Sequence, residues 1–99
     1  MVADVHALDA LGNPVRREIL RELRAAPLSV GDLASRFPVS RPAISRHLRV
    51  LQAAGLVEAR PLPPRGAYAV RVQGFSGVRE YLDEFWDVAL ARLEQLAGE

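Results

Sequence analysis

Ser40-Arg-Pro-Ala-Ile-Ser-Arg-His-Leu-Arg-Val-Leu-Gln-Ala-Ala-Gly55 reads as one capped helix with an apolar face and an arginine-rich face, and it contains no acid. Ser40 is placed to cap it, because a serine hydroxyl satisfies an otherwise unpaired amide of the first turn. Pro42 falls in that turn, where a missing amide hydrogen costs little. Ala43, Ile44, Leu48 and Leu51 recur at helical spacing and predict a core-facing side. Gly55 supplies the left-handed residue that ends the helix. The other face carries Arg41, Pro42, Ser45, Arg46 and Arg49, a set suited to phosphates and guanine edges. Such a helix points to the major groove of DNA.

The segment upstream makes that reading specific. Ser29 to Phe37 predicts a short helix opened by a capping box, since Ser29 and Asp32 stand three apart. Pro38-Val39 then forms a tight connection to Ser40. Two short helices joined by a brief turn, the second basic on its outer face, make a helix-turn-helix over residues 29–55. After Gly55 the pattern turns from helical to alternating. Leu56–Arg60 and Ala67–Val72 predict two strands, and the three prolines of Pro61-Leu-Pro-Pro-Arg-Gly66 make the stretch between them a loop. A hairpin directly behind a reading helix is a wing, here residues 56–72.

The flanks are helical. Asp4 to Leu11 predicts a short helix with Val5, Leu8 and Leu11 apolar. Asn13-Pro14 starts a second, from Pro14 to about Ala26, that buries Val15, Ile19, Leu20 and Leu23 before Pro27 stops it. Leu28 is expected to be extended. Gly74 breaks the second strand, and Ser76 is expected to cap a final helix to about Leu96. That helix holds Val78, Tyr81, Leu82, Phe85, Trp86, Val88, Ala89, Leu90, Leu93 and Leu96, an apolar arc wider than one helix–core contact requires. Aromatic groups carry much of the energy of buried interfaces. The arc is therefore read as covering its own domain with one flank and a second subunit with the other; the alternative is one broad core contact.

Ninety-nine residues make one domain, residues 1–99. The net charge of +1 favours no partner, but its distribution does. From Leu33 to Val57 there are four arginines and no acid, whereas from Glu80 to Glu99 there are six acids against Arg92 alone. A basic middle and an acidic end place an anionic polymer at the middle. There is no cysteine, which excludes disulfides and thiolate metal sites. No apolar run approaches the ~20 residues needed to span a bilayer, and Met1-Val-Ala-Asp-Val-His lacks the character of a secretory signal. A cytoplasmic protein without a membrane partner is expected. Neither histidine falls in an acid–base constellation and no glycine-rich phosphate loop is present, so no enzyme and no cofactor are expected.

With helix-turn-helix, wing and terminal helices in place, the chain resembles the ArsR/SmtB family of bacterial winged-helix repressors. The resemblance is carried by Ala10-Leu-Gly-Asn-Pro-Val-Arg-Arg-Glu-Ile-Leu20, by Leu28-Ser-Val-Gly-Asp-Leu-Ala34 and by Ser40 to Val57, and extends to Phe85-Trp86 and Leu90-Leu93. It implies a mainly α fold with a small β-hairpin, a winged helix-turn-helix dimerising through its N- and C-terminal helices. It also implies a homodimer whose paired reading helices meet a palindromic operator in double-stranded DNA. Val5 and Leu8 of the first helix, with Leu82, Phe85, Trp86, Ala89 and Leu93 of the helix at 76–97, are the interface expected on that ground.

Two features depart from metal-sensing relatives, and a third concerns the wing. Where one group of relatives places cysteines, this chain has Ser29 and Gly31. Where another uses Asp, His and Glu on the last helix, this one has Glu80, Asp83, Glu84 and Asp87 without a histidine. The chain is thus most similar to the branch without recognised metal ligands, and no metal is expected. The acidic ridge reads as a solvated face ahead of a hard-cation site, and Asp4, His6 and Asp9 as a polar helix end. Wings of the family often carry several basic residues, whereas this loop has only Arg65, with Arg60 and Arg71 on the strands.

Arg41, Ser45 and Arg46 are expected to reach bases, because the first half of a reading helix enters the groove most deeply. Ser40 and Arg49 are expected to position phosphates; Pro42 belongs to the same DNA-binding set, and Arg65 is the wing's contact, to the minor groove or the backbone. His47 either donates to a phosphate or packs at the helix edge. Arg16 and Arg36 are weaker candidates for bracing the backbone. Two functions stay open: a homodimeric repressor on operator DNA, and a winged-helix module that recognises protein. An unknown small-molecule effector at the dimer interface, a protein partner and falling concentration are the three routes of release.

Overall fold

The computed structural model describes residues 2–98. Helix α1 spans Val2–Leu11 and α2 spans Pro14–Ala25. Between them Asn13 caps α2 through its side-chain oxygen, which accepts from the amides of Val15 at 2.8 Å and Arg16 at 3.1 Å. Pro14 follows as the first helical residue, where its fixed φ is an advantage. The inward stripe of α2 is Ile19, Leu20 and Leu23, all buried; Val15 is half-buried.

Helix α3, Val30–Ala34, carries the expected capping box: the Asp32 amide donates to Ser29 Oγ at 3.0 Å and the Ser29 amide to Asp32 Oδ2 at 3.4 Å. It ends three residues before Phe37. Ser35 Oγ donates to the Asp32 carbonyl at 2.7 Å, and the chain leaves the helix there. Phe37 and Val39 still pack on the core, but from a longer turn than a Pro38-Val39 connection. Helix α4, Arg41–Ala53, follows, with Ser40 Oγ accepting from the Ala43 amide at 3.2 Å. Ile44, Leu48 and Leu51 are fully buried, whereas Ala43 is only half-buried. Gly55 closes the helix at φ 77°, the left-handed geometry expected of it.

Strands β1, Val57–Arg60, and β2, Ala67–Val70, pair antiparallel with Val57 opposite Val70 and Arg60 opposite Ala67. Leu28 is extended and exchanges two backbone hydrogen bonds with Tyr68, of 3.1 Å and 2.8 Å, so it lies along the free edge of β2. This contact fastens the wing to the entry of α3. β2 ends two residues sooner than the alternation suggests. Past it the Arg71 amide donates to the Leu56 carbonyl, and Val72–Phe75 wind into a 3₁₀ turn. A Cβ on Gly74 would lie 1.8 Å from the Gly55 carbonyl oxygen, so only glycine lets these two segments touch.

Helix α5 runs from Ser76 to Ala97. Ser76 is its first helical residue and not its cap; its Oγ donates to the Gln73 carbonyl at 2.9 Å. The start of α5 packs against α1. Val78 is its buried residue, and from Arg79 to Gly98 every residue is exposed. The reading in which one flank of α5 covers its own domain is therefore corrected, as is the alternative of a broad core contact. The helix departs from the body after its first turn, giving an elongated molecule of 62 × 25 × 22 Å.

Candidate nucleic-acid interface

The core contacts of α4 decide what its remaining faces do. With Ile44, Leu48 and Leu51 turned inward, a rotation of about 100° per residue places Pro42, Arg46 and Arg49 on the side facing away. All three are exposed. Arg41 and Ser45 lie on the flank toward the wing, and Ser45 is half-buried. Ser40 is exposed but its hydroxyl is engaged with the Ala43 amide. His47 lies on the opposite flank, half-buried beside α2.

The wing approaches α4 over Gly31. A methyl group on Gly31 would stand 3.7 Å from Arg65 Nη1 and 3.9 Å from Arg41 Cζ, so both guanidinium groups converge on one point. Ser29, Arg41, Arg60, Arg65 and Tyr68 line a depression of about 330 Å³ there. The fold thus joins Arg65, distant in sequence, to the first residue of the reading helix. It does not bring His47 to this side.

Ion pairing separates these arginines from others. Arg21 pairs with Glu18, Arg36 with Glu22 at 2.8 Å, and Arg60 with Glu58 at 3.1 Å. Arg41, Arg46, Arg49 and Arg65 have no carboxylate within salt-bridge distance among the described residues. Four uncompensated guanidinium groups on one side make a cationic surface suited to a polyanion. Arg36, engaged with Glu22, does not belong to it.

His47 is held below the usual histidine range, first by burial, then by the positive charges of Arg16 and Arg46. It is neutral at pH 7. Arg16 Nη1 lies 3.5 Å from His47 Nδ1, while Arg16 Nε donates to the Ala10 carbonyl at 2.7 Å. Arg17 makes a similar bond to the Leu11 carbonyl at 2.8 Å. From the sequence, Arg16 is a weaker candidate for bracing the DNA backbone, and the arginines of α2 otherwise read as a solvated face. The signal for these bonds was the abrupt Gly12-Asn13 turn, which strips the last α1 carbonyls of helical partners.

A second surface lies on α5. Leu82, Phe85, Trp86 and Ala89, with Asp83 at the edge, line a groove of about 590 Å³. Tyr81 meets Phe85 edge to face at 5.1 Å. Leu8 is half-buried on α1, packed against the core; the side chain of Val5 lies outside the described residues. On the acidic ridge Asp83 stands 3.9 Å from Arg79, and among the described residues no three His, Asp or Glu side chains gather as a metal site. No helix among the described residues is long and apolar enough to cross a membrane.

A capped reading helix, a short helix before it and a hairpin beside it define a winged helix-turn-helix protein. Residues 11–60 match the family described as "Helix-turn-helix domain". The chain is 46 % identical over 90 residues to the HTH-type transcriptional regulator Rv2034 of Mycobacterium tuberculosis, covering 91 % of this chain and 84 % of that protein. It is 40 % identical over 48 residues to the transcriptional repressor SdpR of Bacillus subtilis, covering 48 % of this chain and 53 % of that one. Its fold is similar to an ArsR-like transcriptional regulator from Rhodococcus sp. RHA1, with a TM-score of 0.77, 37 % identity, and coverage of 97 % of this chain and 93 % of that one. The chain belongs to the ArsR/SmtB family of winged helix-turn-helix regulators.

Proposed function

We infer that this protein is a DNA-binding transcriptional regulator that acts as a homodimeric repressor on a palindromic operator. The observation that carries the reading is the outward side of α4, where Arg41, Arg46 and Arg49 stand without carboxylate partners among the described residues. Arg41, Ser45 and Arg46 read base edges; Ser40, Pro42 and Arg49 lie along the phosphates, and Arg65 brings the wing to the same backbone. His47 borders this surface on the α2 side. The likeness to a named repressor supports repression as the outcome of operator occupancy.

The dimer brings two reading helices to successive major grooves, about 34 Å apart. Its interface is α5, through Leu82, Phe85, Trp86, Ala89 and Leu93, with α1 contributing Val5 and Leu8. The exposure of Trp86 (65 %), Leu93 (61 %) and Phe85 (60 %) supports this, since a helix so apolar is marginal in water without a covering surface. The same interface is where a small-molecule effector would act. The protein works in the cytoplasm, with its DNA.

Fluorescence anisotropy against DNA from upstream of the protein's own gene, beside a scrambled duplex, tests the reading across a salt series. Arg49 and Arg65 on phosphates in each subunit make four contacts per dimer, so the logarithm of affinity falls against that of salt with a slope of about −4. Tight, selective binding is expected. Absence of binding at low salt would overturn the reading in favour of protein recognition.

A further inference from the structure

Arg16 differs from the arginines of the cationic surface in where its guanidinium is held. Nε donates to the Ala10 carbonyl at 2.7 Å and Nη2 to the Asp9 carbonyl at 3.3 Å. Both carbonyls belong to the last turn of α1, and that of Asp9 also accepts from the Gly12 amide at 3.0 Å. The remaining nitrogen, Nη1, lies 3.5 Å from Nδ1 of His47 on α4. Arginine has donors only, so a hydrogen bond between the two requires Nδ1 as the acceptor, with the ring's single proton on Nε2. Three elements, α1, α2 and α4, thereby meet at one guanidinium.

We propose that Arg16 is a positioning residue for DNA reading, tying the C-terminus of α1 to α4 through the unprotonated Nδ1 of His47. The proposal rests on the dimeric DNA-binding reading above: α1 belongs to the subunit junction and α4 to the operator contact, so this strut fixes how the two reading helices are presented. Within each subunit the strut crosses between the interface side and the reading side.

Protonation releases the strut. A charged imidazole carries N–H on both nitrogens, cannot accept from Arg16, and sets a cation against it. The charged groups facing the ring are Arg16 from α2 and Arg46 from α4 itself. From α1, His6 and Asp9 line the adjoining groove of about 360 Å³ with Arg16 and Val50. Burial and the two arginines keep the ring neutral at pH 7, so the strut is made there and lost on acidification.

The direction of the pH effect separates this role from direct contact. A histidinium bonded to a DNA phosphate strengthens binding as pH falls; a broken strut weakens it. Two measurements on the full chain test the proposal. Long-range nitrogen–proton NMR of the free protein should show His47 as the Nε2–H tautomer, and Arg16→Met should raise its pKa. An Nδ1–H tautomer, or a pKa unmoved by Arg16→Met, would overturn the strut without reference to DNA. Anisotropy with the operator should show wild-type affinity falling fivefold or more between about pH 7.5 and about pH 5.5, a modest allosteric coupling. His47→Gln retains an acceptor and does not titrate, so its affinity should be the same at both pH values. Wild-type affinity that is flat or rises on acidification refutes the positioning role. Should Arg16→Met fail to fold, the tautomer and His47→Gln still decide the matter. Arg46→Ala identifies the other failure: binding that ignores this substitution too, with the tautomer as expected, sinks the DNA reading and not the strut.

Discussion

Replacing Trp86 with alanine tests the subunit junction most directly. Trp86 is 65 % exposed. A large aromatic side chain has roughly 150–250 Å² to bury, so about 100–160 Å² of Trp86 remains in water in the single chain. Covering that area at ~25 cal/mol per Å² is worth about 2.5–4 kcal/mol. A two-fold interface contains the residue once from each subunit, which makes about 5–8 kcal/mol per dimer as an upper bound. Alanine retains little of this surface, and at 1.4 kcal/mol per decade the dissociation constant should rise by about a thousandfold or more. Sedimentation equilibrium over a micromolar concentration series reads the change. Circular dichroism checks that the monomer keeps the helices of its body, α1 to α4, as it should, because Trp86 makes no part of the core; only α5, now uncovered, is expected to fray. Wild-type sedimentation of the Trp86→Ala protein at every concentration would refute the use of α5 as the junction.

Other perturbations probe the reading helix and the joints that hold it. Arg46→Ala should cost about 1–3 kcal/mol of operator affinity and relax sequence preference, seen by anisotropy against single-site operator variants. Ser40→Ala removes the acceptor of the Ala43 amide and should lower stability by about 1 kcal/mol in urea titrations. Gly74→Ala drives a methyl group into the Gly55 carbonyl and should cost about 3 kcal/mol or more, with a large fall in Tm. His47 titrates lower in the folded protein than in the unfolded chain, so the unfolded state binds more protons as pH falls. Its contribution to stability is full above about pH 6.5 and is lost as pH drops through the folded value, so His47→Gln should flatten part of the acid fall in Tm.

The local signals in this chain translated well into structure wherever one side chain served one nearby amide. Asn13, Ser29 with Asp32, Ser40 and Gly55 each act within three residues, so their geometry is written in the order of the chain. Ser76 misled for the same local reason. A serine that donates to a carbonyl of the preceding turn looks in sequence like one that accepts from an amide ahead, and periodicity does not tell the two apart. The arginine-rich side of α4 was legible because its buried residues fix its rotation. The convergence of Arg65 on Arg41 was not, since it depends on how the hairpin folds back over Gly31.

The last helix marks the physical limit of pattern reading. Its apolar arc says that area must leave water, and says nothing about which molecule covers it. A wide arc is satisfied equally by a thick core or by a partner. The deciding fact is the path of the chain after Val78: the 3₁₀ turn at Val72–Phe75 aims α5 out of the body, so beyond Val78 the arc does not meet its own core. The turn itself is fixed by the close approach of Gly74 to Gly55, which also ends the reading helix. One pair of glycines therefore sets both where α4 stops and where α5 points. In a two-fold dimer those two directions determine the separation of the reading helices, so operator spacing depends on residues that touch no DNA.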